Sequence, residues 1–208
     1  MVPHDSDDSE VIWDLSRNDG TIHEPSLRKT KWGILFHRAA RNLYEKRDIQ
    51  GAISMLESRL ERVKEKHKVH PDTEPADDHF IRHDLAKFYK ELSEKADPHK
   101  RRTLLEKARV HTEFGLQYAP NDAFLQQEAG EVHYALGNYK RALQHFNAIL
   151  DLHEQFPNDR KYRPNIVHTW CAKCHIEMKE WDNALASAET LLASGYTSNN
   201  GDPLSKTI

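Results

Sequence analysis

The chain has 208 residues, 30% charged and 38% hydrophobic, with a net charge of −3 and a mean hydropathy of −0.84. That balance excludes a global field drawing the protein onto nucleic acid or anionic lipid, and no run approaches the ~18 apolar residues of a membrane span. The apolar content is small for one deep spherical core, but it suits helix hairpins stacked in a line, each burying only a stripe.

Residues 1–25 carry Pro3, Gly20, Pro25 and the acidic run DSDDSE, and read as a flexible acidic lead-in around one apolar knot, VIWDL. This terminus has no apolar h-region and does not read as a secretory signal. The stretch DSDDSEVIWDL, residues 5–15, is acidic and then aromatic. It reads either as a linear motif for another protein, tunable by phosphorylation at Ser6 or Ser9, or as a fold-back of Ile12, Trp13 and Leu15 over the first hairpin.

Helical patterning covers residues 26–195. KWGILFHRAARNLYEKRD puts Ile34, Leu35, Ala39, Ala40 and Leu43 at helical spacing and breaks at Arg47-Asp48. IQGAISMLESRLERVKEKHK follows with Ile49, Ala52, Ile53, Leu56 and Leu60 on one face. HPDTEPADD is a linker, and DHFIRHDLAKFYKELSEKA is a helix on Phe80, Ile81, Leu85, Phe88, Tyr89 and Leu92. Asp97-Pro98 ends that helix, because proline disfavours helix in the residue before it. RTLLEKARVHTEFGLQYA, with ADPHK ahead of it as loop, runs to Pro120. NDAFLQQEAGEVHYALG and NYKRALQHFNAILDLHEQF form a third pair, FPNDRKYRPN a loop, and IVHTWCAKCHIEM with WDNALASAETLLASG a fourth. Residues 196–208 read as an irregular tail. Eight helices in four hairpins, without a strand, are expected.

The hairpins resemble one another. Ala108 and Ala142 stand 34 apart (142 − 108), the period of the tetratricopeptide repeat, or TPR. Ala142-x3-Phe146 fits that family's second-helix pattern, as does Ala52-x3-Leu56, with Ala184-x3-Ala188 a looser copy. Leu85-Ala86-x2-Tyr89 fits the first helix, and Ala129-Gly130, Cys171-Ala172 and Ala39-Ala40 take the matching places elsewhere. Phe36, Arg82, Gln126 and His168 stand where the family has its signature Trp. The chain resembles the TPR family, with irregular repeats, over residues 27–195. The resemblance implies an all-α solenoid of about four helix hairpins in a right-handed superhelix. Ala142 is expected to let its helix approach the first helix of the hairpin, with Phe146 plugging the joint to the next unit.

The two cysteines give no disulfide framework, so a reducing compartment, the cytoplasm or the nucleus, is expected. They lie in CAKCH, residues 171–175, which matches a haem-attachment pattern. The same residues fall where the repeat packs small and medium side chains, and a buried Cys is a small hydrophobe. No cofactor is expected. His168, Cys171 and His175 share a helix face, but a structural zinc site wants four ligands, so no metal is expected either. No P-loop, GxGxxG, HExxH or GxSxG occurs, and no catalytic residue is assigned. RLERVKEKHKVH (59–70) and HKRR (99–102) are basic clusters that could hold RNA or an acidic peptide if one edge carries both.

The family resemblance further implies a concave groove lined by the first helix of each hairpin. Its lining positions are His37 and Arg41, then His83 and Lys87, then Gln127, Glu131 and Tyr134, then Thr169 and Lys173. TPR co-chaperones hold a C-terminal carboxylate with Lys and Asn at such places, a pairing that this chain lacks. The expected function is a non-enzymatic scaffold or adaptor that binds a partner protein or an acidic peptide in the groove. Two alternatives stay open: an RNA-binding helical repeat, and a regulatory TPR domain of a larger enzyme or complex.

Overall fold

A computed structural model describes residues 31–69, 78–159 and 162–193. They form eight helices: α1 Lys31–Glu45, α2 Ile49–Val69, α3 Asp78–Glu94, α4 Pro98–Tyr118, α5 Ala123–Ala135, α6 Tyr139–Gln155, α7 Pro164–Glu177 and α8 Trp181–Ala193. No strand occurs among the described residues. The acidic lead-in and the tail lie outside them. Each odd helix packs on the even helix after it, and α2 meets α3, α4 meets α5 and α6 meets α7. The architecture is a solenoid of four TPR-like hairpins.

Small residues sit where paired helices approach closely. Ala40, Ala52, Ala108 and Ala142 have no exposed surface, and Ala184 is buried. Large side chains fill the spaces between: Ile53, Leu56, Ile81, Leu85 and Phe88 around hairpins one and two, Phe146, Ile149, Tyr162 and Val167 around three and four. Burying each such aliphatic or Phe side chain is worth ~1.5–3 kcal/mol relative to exposure. Phe146 stacks on Trp170 of α7 at 5.8 Å, and so plugs the joint expected of it.

Three hairpins turn in the same way. Arg47, Gly137 and Lys179 each have positive φ, at 68°, 79° and 60°. The next residue's N–H then reaches back five residues, from Asp48 to Leu43, Asn138 to His133 and Glu180 to His175. This left-handed turn satisfies the last carbonyls of the first helix. Only one of the three positions is glycine, the residue that adopts positive φ without steric cost.

Two expectations change. Helix α4 starts at Pro98, four residues before Arg102, because the Asp97 carboxylate caps it. Asp97 accepts from the N–H groups of His99 and Lys100 at 3.1 and 3.0 Å, and proline suits the first helical position. ADPHK is therefore a helix start rather than a loop, and HKRR lies in the first turns. Second, the loop before α7 holds Tyr162, a core residue only 2% exposed that stacks on Phe156.

Candidate interaction groove

The odd helices approach one another: α3 contacts α5, and α5 contacts α7. Tyr44 of α1 reaches α3, stacking on Phe88 at 4.8 Å and donating to Glu91 Oε2 at 2.6 Å. Among the described residues, the even helices have no comparable mutual packing. The odd helices thus make the inner face and the even helices the splayed outer face.

At the N-terminal end of the inner face, Arg41 is exposed. Lys87 Nζ stands 5.4 Å above the Tyr44 ring. Neither has a carboxylate partner among the described residues. His83 lies edge-on to Phe124 of α5 at 6.0 Å, with Nδ1 3.5 Å from Asp84. The side chain of His37 falls outside those described.

The middle is a three-residue ion cluster. Lys90 Nζ lies 2.8 Å from Glu128 Oε1 and also bonds Glu131 Oε2, while Gln127 Nε2 donates to Glu131 Oε1 at 2.8 Å. Burial by itself would lower the Lys90 pKa, but the two carboxylates outweigh it and hold the ammonium charged. Both acids of α5 are thereby paired from α3, one ammonium being shared between two carboxylates.

The C-terminal part is aromatic. Tyr134 meets Trp170 edge-on at 5.3 Å, and Lys173 Nζ caps the Trp170 ring at 4.2 Å. Tyr134 and Tyr139 both donate to Glu177, at 3.3 and 3.4 Å. Burial and the Glu177 charge push the Tyr134 hydroxyl up to about 12. Thr169, expected in the lining, is instead buried, and its hydroxyl donates to the Asn165 carbonyl at 3.0 Å. A small side chain satisfied within its own turn fits the interior there, and Trp170 faces Tyr134 in its stead.

Other residues of the same helices take part in these contacts. One further helical step adds Tyr44 after Arg41, Lys90 after Lys87 and Glu177 after Lys173. Of the CAKCH residues, Cys171 and Cys174 belong to the core, and burial pushes both thiols up to about 12. His175 lies 2.7 Å from Glu180 across the turn into α8.

Neither a protein-family model nor a curated protein matches the chain. Among solved structures, it is similar to a thermophilic TPR protein of Thermus thermophilus, at 18% identity. That match covers 77% of this chain and 90% of the other, with a TM-score of 0.48.

Proposed function

We propose that the protein is an interaction scaffold that takes an acidic peptide along the inner face of hairpins one and two. One observation supports this most. Four inner-face carboxylates are engaged by other side chains: Glu91 by Tyr44, Glu128 and Glu131 by Lys90, Glu177 by Tyr134 and Tyr139. Glu91 keeps its charge beside Lys87, but its carboxylate is occupied by the Tyr44 hydroxyl, while Arg41 and Lys87 have no carboxylate partner among the described residues and stay available to a ligand. A peptide carboxylate meeting either cation gains a charge-assisted hydrogen bond worth ~1.5–3 kcal/mol. Enzymatic chemistry forms no part of the reading.

The test uses a set of Asp- and Glu-rich peptides, screened by fluorescence anisotropy against the full chain and its Arg41→Glu, Lys87→Glu double variant. The double variant keeps the circular dichroism spectrum of the parent and loses at least tenfold in affinity for the best peptide. Deleting residues 1–25 leaves that affinity in place. Equal binding by parent and double variant removes the groove assignment. Nucleic acid serves as the control ligand: binding confined to RNA, steeply weakened by salt, supports the RNA-binding alternative instead.

A further inference from the structure

The splayed outer face holds an open cleft of about 700 Å³ between α2 and α4, lined among others by Glu57, Arg102, Lys107, Val110 and His111. Its acids are already engaged. Glu57 accepts the Tyr89 hydroxyl, Glu106 pairs with Arg109 at 2.7 Å, and Glu61 beside the cleft pairs with Lys64 at 2.6 Å. At the start of α4, Arg102 lines the cleft and Lys100 and Arg101 stand beside it; all three are exposed and have no carboxylate partner among the described residues. Val110, 53% exposed, gives the cleft an apolar wall. The cations without a partner therefore gather at the Arg102 end, while toward the other end Lys107 and Arg109 are engaged with Tyr89, Glu106 and Glu113 and Val110 adds an apolar patch.

Its polarity along the chain follows from the contacts. Glu57 and Lys107 share the Tyr89 hydroxyl, and α3 packs between α2 and α4, joined to α4 by a short turn and so antiparallel to it, with Arg82 at its start 3.5 Å from His111. Successive helices of the stack alternate in direction, so α2 and α4 run parallel. Helix α1 precedes α2 through a tight turn, so its first residue, Lys31, lies beside the far half of α2. Lys31 thus lies toward the Val110–His111 end of the cleft. Leu15 precedes Lys31 by 16 residues, a tether of up to ~50 Å when extended. The α4 stretch from Val110 back to Arg102 rises only ~12 Å.

We propose that residues 5–15 of this chain, DSDDSEVIWDL, dock in that cleft in cis. The order of the segment matches the order of the cleft. VIWDL, nearer to α1, meets Val110, and Asp5, Asp7, Asp8 and Glu10 reach Arg102, Arg101 and Lys100. The inner groove is left open, so this contact and the acidic-peptide site are separate.

The experiment is fluorine NMR on the full chain labelled with 5-fluorotryptophan. The four tryptophans give separate signals, and Trp13→Phe assigns that of Trp13. A soluble gadolinium agent reports exposure. Trp13 is expected to be protected in the parent and to lose that protection in Arg101→Glu, Arg102→Glu and, independently, in Val110→Asp. All three sites are exposed, and an unmoved Trp170 signal verifies the fold. The Arg41→Glu, Lys87→Glu variant leaves Trp13 protected, which keeps this test apart from that of the groove. A Trp13 signal as exposed as in the free peptide overturns the proposal. So does protection indifferent to both cleft variants, since the segment then packs elsewhere. Protection that disappears on dilution assigns the cleft to a second copy and overturns docking in cis.

Discussion

Phe146 and Gly130 are in contact so close that a Cβ at position 130 would stand 2.5 Å from the Phe146 ring. The ring has no exposed surface and is held on its other side by Trp170. It has nowhere to retreat. Glycine at 130 is thus required by packing across hairpin three, since its backbone is ordinary helix.

Gly130→Ala is expected to destabilise the protein in spite of alanine's better helix propensity, and Phe146→Ala to cost ~3–5 kcal/mol through the cavity it leaves. The combination Gly130→Ala, Phe146→Leu should cost less than the sum of its parts, because the smaller side chain makes room. Urea denaturation of the parent, these variants and Phe146→Leu alone measures this, and strict additivity would refute the contact.

The cluster of Lys90, Glu128 and Glu131 carries a second prediction. Lys90→Met leaves two carboxylates close together, one only 7% exposed, and a broken buried pair costs ~3–5 kcal/mol. Adding Glu128→Gln and Glu131→Gln should restore much of the loss. A triple variant no more stable than Lys90→Met would show that the lysine stem, rather than its charge, is what matters.

The left-handed turns supply a third. A non-glycine residue in that conformation pays ~1–2 kcal/mol, so Arg47→Gly and Lys179→Gly should each stabilise, by ~0.5–1 kcal/mol after the added freedom of the unfolded chain is offset. Gly137→Ala should destabilise. Thermal melts of the three variants check both signs.

The fourth concerns pH. Burial lowers His111 and His145 each to about 4 from the ordinary 6.5, with Arg82 and Lys107 adding to the effect at His111 and His133 at His145. His145 stacks on buried His133 at 5.3 Å. The folded protein keeps both rings neutral between pH 6.5 and 4 while the unfolded chain takes up protons. Stability is therefore insensitive to these groups above about pH 6.5 and falls as pH drops below it. Melting temperatures from about pH 7.5 to 5 should decline in the parent and decline less in His111→Asn, His145→Gln. An unchanged slope assigns the acid sensitivity to other groups.

The sequence by itself determined the eight helices, their pairing and the small-residue crossings at Ala52, Ala108, Ala142 and Ala184. Helical periodicity is local, and a stripe of apolar residues states which face is buried without saying against what. It was the resemblance to the TPR family, not periodicity, that proposed Arg41, Lys87, Gln127, Glu131, Tyr134 and Lys173, all on odd helices, as groove positions. Only the tertiary structure decided which charges there remain open. Lys90 lies 41 positions from Glu131, and their meeting depends on how α3 crosses α5, which no local pattern encodes. Nor did local pattern separate Thr169 from Trp170, adjacent residues whose burial depends on the rotation of α7 against Phe146 and Tyr134. The left-handed Arg47 and Lys179 were hidden for the same reason: packing of the hairpins holds a conformation that those residues would not choose alone.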